Sequence, residues 1–95
     1  MFIVSLTYIA QMSEIDKHLN NHIEYLEKQY SQGIFLASGR KVPRTGGVIL
    51  AEAESREALE QVLSEDPFKV YGLANYQITE FVPSKTSPEL AFLLQ

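Results

Sequence analysis

The first stretch of the chain, Phe2-Ile3-Val4-Ser5-Leu6-Thr7-Tyr8, is β-branched or aromatic at most positions and partly alternates, the pattern of a strand. The period then changes. Ile15, Leu19, Ile23, Leu26 and Tyr30 recur at steps of four, four, three and four, the repeat of one helical face. Ser13 reads as the N-cap of that helix, Glu14 and Asp16 suit the positive end of its dipole, and Gly33 is a natural left-handed terminator. Ile34–Ser38 reads as a second strand, short and apolar enough to be central in a sheet. Gly39–Gly47 is punctuated by Gly and Pro and reads as a loop, followed by a third strand over Val48–Ala53. Ser55 caps a second helix with Ala58, Leu59, Val62 and Leu63 on its apolar face. That helix is expected to stop at Asp66, because Pro67 disfavours helical backbone in the residue before it. Tyr76–Val82 alternates cleanly as a fourth strand, and Pro83 ends it.

The order β-α-β-β-α-β predicts an α+β fold of the ferredoxin-like split βαβ type: a four-stranded antiparallel sheet with two helices on one face. Two helices cover only that face. Tyr76, Ile78 and Glu80 alternate with Gln77, Thr79 and Phe81, and Phe2, Val4 and Leu6 alternate with Ile3, Ser5 and Thr7, so both faces carry apolar side chains. A second sheet is the expected cover for the open face, which makes the chain a homodimer. Residues 1–83 form the expected domain. The tail, residues 84–95, carries Leu90, Phe92, Leu93 and Leu94, an apolar cluster expected to pack on the domain or on the partner.

Composition narrows the function. At 95 residues, with 45% hydrophobic and 21% charged residues, the chain is one globular domain. There is no cysteine, which removes disulfides, thiolate metal sites and cysteine nucleophiles. A net charge of −4 and a pI near 5.0 argue against a nucleic-acid partner, since phosphate binding needs clustered Lys and Arg. No apolar run is long enough to span a membrane, and the start lacks a basic leader, so a cytoplasmic location is expected.

At about 100° per residue, His22 projects about 20° from Ile15 and about 40° from Leu26, within the apolar stripe and towards the sheet. His18 lies about 60° from Ile15, nearer the rim. By itself His22 is either a satisfied core histidine or a site residue. The two histidines are four residues apart on one helix, but no third metal ligand appears at a recognisable spacing, and neither a metal nor a cofactor is expected. Asp66 breaks a local rule: with Glu65 it brings a second carboxylate to the negative end of a helix. Either it is an ordinary Asp-Pro helix exit or it has work to do elsewhere. Arg40, Lys41 and Arg44 concentrate charge beside Ser38, Gly39 and Gly46-Gly47. That is either a solvated hairpin tip or a cradle for an anionic group, where glycine lets the backbone approach.

His22, Phe35-Leu36-Ala37-Ser38-Gly39, Pro43-Arg44-Thr45-Gly46-Gly47-Val48-Ile49, Asp66-Pro67-Phe68 and Gly72-Leu73-Ala74 occur in the order found in the YCII-related (YciI-like) family. The chain resembles that family from Met1 to about Val82. The resemblance implies a dimeric α+β barrel. It implies a catalytic histidine–aspartate pair at His22 and Asp66, with Ser38 in the same pocket. It further implies acid/base chemistry of a lyase or isomerase type on a small molecule, since one relative eliminates chloride from a chlorinated hydroxyhydroquinone and other dimeric α+β barrels isomerise lactones. Gly39, Arg40 and Arg44 complete the expected substrate-binding set. Two other readings fit the same residues: a ligand-binding or sensing module without chemistry, and a structural protein with a vestigial pocket.

Overall fold

Four strands form one antiparallel sheet in the computed structural model, which describes residues 1–94. They are β1 (Phe2–Tyr8), β2 (Phe35–Arg40), β3 (Gly46–Ala51) and β4 (Ala74–Glu80), in the spatial order β2-β3-β1-β4. Between them run α1 (Met12–Lys17), α2 (Leu19–Ser31), α3 (Arg56–Leu63) and α4 (Pro67–Val70), and a 3-10 turn over Pro88–Leu93 follows. This is the ferredoxin-like α+β arrangement.

The register explains the core. Val4 lies opposite Ile49 on one side and Ile78 on the other, and Phe2 lies opposite Ala51. These residues share the face that meets Ile15, Tyr25, Leu59, Leu63 and Phe68 from the helices in one buried cluster. Phe2, Phe35 and Phe68 are each fully enclosed, and truncating such a ring to alanine typically costs about 3–5 kcal/mol. The opposite face presents Ile3, Val48 and Leu50 beside Ser5, Gln77 and Thr79.

Several elements differ from the sequence expectation, each for a physical reason. The first helix starts at Met12, with Gln11 rather than Ser13 at its N-cap, and the cap makes no side-chain hydrogen bond. It is also not continuous. His18 adopts φ −105°, ψ 5°, closing α1 and starting α2. The buried residues of α2 are Tyr25 and Gln29, while Ile23 at 42% and Tyr30 at 38% exposure stay partly open. Gly33 does terminate α2 with φ 74°. Its N–H and that of Ile34 reach back to the carbonyls of Tyr30 and Gln29, a Schellman closure.

The second strand is an edge strand and not a central one: β3 pairs with β1 on its far side, and β2 pairs only with β3. Gly39 and Arg40 belong to β2, and Gly46-Gly47 to β3, so the connecting loop shrinks to residues 41–45. The second helix ends at Leu63, before Asp66, and the fourth strand runs two residues earlier than its alternation suggested. Ser55 caps α3 as expected, accepting from the Ala58 N–H at 3.0 Å. In the tail, Leu90, Phe92 and Leu94 are exposed in the single chain, and its last residue, Gln95, lies outside the described residues.

Gly46 is required by packing. A Cβ there would collide with the backbone carbonyl of Leu6 on β1. Gly46→Ala is therefore expected to force β1 and β3 apart and to cost about 1–3 kcal/mol, read as a lower urea midpoint by circular dichroism.

Candidate functional site

Asp66 owes its position to the proline that follows it. Pro67 holds Asp66 in an extended conformation, φ −64° and ψ 126°, and occupies the first turn of α4. Asp66 is thus the N-cap of a new helix and not the C-terminal residue of the preceding one, so the dipole conflict expected from the sequence does not arise. Its Oδ1 accepts the Phe68 N–H at 3.0 Å.

The same oxygen lies 2.8 Å from Nδ1 of His22. α2 packs against α4, and the His22 imidazole stacks on the Phe68 ring, with centroids 4.0 Å apart and planes at 8°. A third donor arrives from the sheet: Tyr76 on β4 donates its hydroxyl to Oδ2 of Asp66 at 2.6 Å. Asp66 is completely buried, so its charge is met by three donors and no water-facing edge. The His22 side chain keeps 12% exposure.

Nδ1 is committed to Asp66, which leaves Nε2 as the nitrogen free for a ligand. His22 lines a cavity of about 410 Å³ between α2 and the sheet. Leu19, Ile23 and Leu26 form one wall, Leu6, Tyr8 and Ile49 another, and Phe68 closes the inner end. Ser38, Gly39, Arg40 and Arg44 all line it as well, so five of the six expected site residues share one cavity while Asp66 stands behind His22. Arg44 bonds Asp16 at 2.9 Å across the mouth, and Ser38 Oγ sits 2.6 Å from the Tyr30 hydroxyl. Lys41 turns away to Thr7 at 3.1 Å. His18 also turns away, stacking on Tyr71 at 4.1 Å, so the two histidines do not converge. Among the described residues, no group of three or more His, Asp or Glu is placed to hold a metal ion.

Sequence reading missed Tyr76, Phe68, Tyr25 and the second task of Asp16. Tyr76 left a signal: alternation puts it on the same side of β4 as Ile78, and a hydroxyl on a buried face needs a partner. Tyr25 fills the same layer and donates to the Val62 carbonyl at 2.8 Å.

The family-model comparison matches the YCII-related domain over residues 1–82, and the chain belongs to that family. No curated protein matches it significantly in sequence. Among solved structures it is similar to the 5-chloro-2-hydroxyhydroquinone dehydrochlorinase of Burkholderia phenoliruptrix, determined in complex with 2,5-dihydroxybenzoquinone. The TM-score is 0.73 at 19% identity, over 84% of this chain and 91% of that one, a likeness of fold. No helix among the described residues is long and apolar enough to cross a membrane.

Burial, followed by the charges of Asp66 and Glu65, pushes the Tyr25 phenol far above its ordinary 10.0, and burial with Asp66 does the same to Tyr76. Unfolded, both phenols lose their protons near 10.0, whereas folded they keep them. Their contribution is complete below that pH and is lost as the pH rises above it. Urea midpoints taken from about pH 8 to about pH 11 are expected to fall above about pH 10, with the fall reduced in Tyr25→Phe.

Proposed function

We propose that this YCII-related domain is a small-molecule enzyme in which His22 exchanges protons with its ligand and Asp66 holds and charges the imidazole. The observation that supports this best is a fully buried carboxylate bonded to Nδ1 of a histidine whose other nitrogen is left to a mostly apolar cavity. With the Nδ1 proton directed at Asp66, the Nε2 lone pair accepts a proton from an acidic carbon or hydroxyl of the ligand. Asp66 then stabilises the imidazolium. Returning the proton at another atom completes an isomerisation. If the electron pair left on carbon instead forms a double bond as the adjacent carbon–leaving-group bond breaks, the leaving group departs as an anion with that bond's pair, the step is an elimination, and Nε2 releases its proton to water afterwards.

The cavity has room for a ligand of about one ring. Its apolar walls suit the ring. Arg40, Arg44 and Ser38 at the rim suit an anionic or oxygen substituent, with Gly39 allowing the backbone to approach. The similar dehydrochlorinase acts on a chlorinated hydroxyhydroquinone, which favours hydroxylated rings or lactone-like molecules as the substrate class here. The free face bearing Ile3, Val48 and Leu50 supports a homodimer built by pairing two sheets, with the apolar tail beyond residue 83 packed on the partner. Light scattering is expected to give about twice 10.8 kDa at micromolar concentration; a stable monomer overturns the dimer.

The deciding experiment titrates 2,5-dihydroxybenzoquinone into the protein by NMR and follows turnover of chlorinated hydroxyhydroquinones and lactones. Binding is expected to shift the His22 ring signals. His22→Asn and Asp66→Asn are each expected to lower turnover by about 10²–10⁴-fold while leaving the fold intact. Arg40→Ala is expected to raise KM more than it lowers kcat. Saturable binding without any turnover supports a sensing module instead, and undiminished turnover in His22→Asn overturns the acid/base assignment.

A further inference from the structure

Asp66 has two oxygens, and the pair with His22 uses only one. Oδ1 takes both the His22 Nδ1 and the Phe68 N–H, whereas Oδ2 has a single hydrogen-bond partner, the Tyr76 hydroxyl at 2.6 Å. The three groups lie on three separate elements: α2, the turn into α4, and β4. Tyr76 itself is held in place, since its neighbours on β4 pair with β1 and the Lys69 ammonium sits 5.0 Å from its ring centroid. We infer that Tyr76 is a positioning residue for His22: by holding Oδ2 it aims Oδ1 at Nδ1 and withdraws part of the carboxylate's charge from the imidazole. The inference rests on the reading of His22 and Asp66 as the reacting pair and adds a third member to it.

The consequence has a definite direction. A carboxylate that shares a proton with a phenol is a weaker partner for an imidazolium than one left to the histidine alone. Without the Tyr76 hydroxyl, Oδ2 is a buried charge with no donor, and the nearest proton that answers it is a second one on His22. The other ionisable groups around His22 are Tyr25 on its own helix, Tyr8 on β1, Asp16 on α1, Arg40 on β2 and Arg44 in the 41–45 loop. Tyr76→Phe leaves all of them in place. Tyr25 supplies the internal comparison: its buried hydroxyl donates to the Val62 carbonyl and not to Asp66.

The test is ¹⁵N NMR of the His22 ring against pH in the intact chain, Tyr76→Phe and Tyr25→Phe. In the intact chain the neutral ring is expected to carry its proton on Nδ1. In Tyr76→Phe the protonation midpoint of His22 is expected to rise by about one pH unit, a tenfold change, while Tyr25→Phe moves it far less. An unchanged or lowered midpoint in Tyr76→Phe, or an equal rise in both variants, overturns the inference. Should Tyr76→Phe fail to fold, the hydroxyl proton of Tyr76 in the intact chain decides. A resolved, slowly exchanging downfield hydroxyl resonance that moves when Asp66 is replaced by Asn upholds the bond, and a hydroxyl unaffected by Asp66→Asn overturns it. None of these readouts requires a substrate. A raised midpoint in a protein that turns nothing over upholds Tyr76 as the positioning residue and sinks only the enzymatic reading.

Discussion

A carboxylate taken wholly out of water constrains everything near it. Asp66 is fully buried, and an isolated buried charge costs several kcal/mol unless donors meet it. The donors come from α2, from the backbone at the start of α4 and from β4. Helix, turn and sheet are thereby tied at one point, and the angle of α2 has little freedom. On the same helix Tyr25 and Gln29 are buried and the His22 side chain keeps 12% exposure.

Around that fixed point the cavity divides by character. Its inner end is Phe68, packed flat against His22, and its walls are aliphatic. Its mouth holds the charges: Arg40, and Arg44 bound to Asp16. The imidazole therefore stands in surroundings where water competes poorly, while the charged groups stay at the wetter rim. The Asp16–Arg44 pair is solvent-exposed on both sides and stabilises the fold little; its importance lies in which charge faces the mouth.

The elements and their order were legible because periodicity is a local property: β1, α3 and the alternation of β4 declare themselves within a few residues. The sheet order was less so. Ile34–Ser38 looks central by its apolar run, but whether a strand sits inside or at the edge depends on which neighbour β3 chooses, and that is settled by contacts distant in sequence. The helical stripe misled for a related reason. Ile15 is buried in the core, whereas Ile23 lines a cavity that leaves it exposed, and a cavity is not written in a helical period. At the site, His22 and Asp66 drew notice as a polar residue on an apolar face and a carboxylate at a helix exit. Their apposition across 44 residues was carried by the family resemblance and not by either residue's surroundings. Tyr76 went unremarked because a tyrosine in an alternating strand is ordinary until its hydroxyl is seen to have one specific acceptor.

The position of β2 at the sheet edge separates two kinds of heritable change. Ser38, Gly39 and Arg40 hydrogen-bond through their backbones to β3 alone, and the loop that follows them carries Arg44. Substitutions in this segment touch one ladder and some exposed side chains, whereas His22, Asp66 and Tyr76 belong to one hydrogen-bonded group shared by three elements. Side chains along the rim can therefore change at small cost to the fold, while those that meet the buried Asp66 carboxylate cannot. A scaffold divided in this way can reshape the mouth of its cavity without disturbing the buried pair behind it.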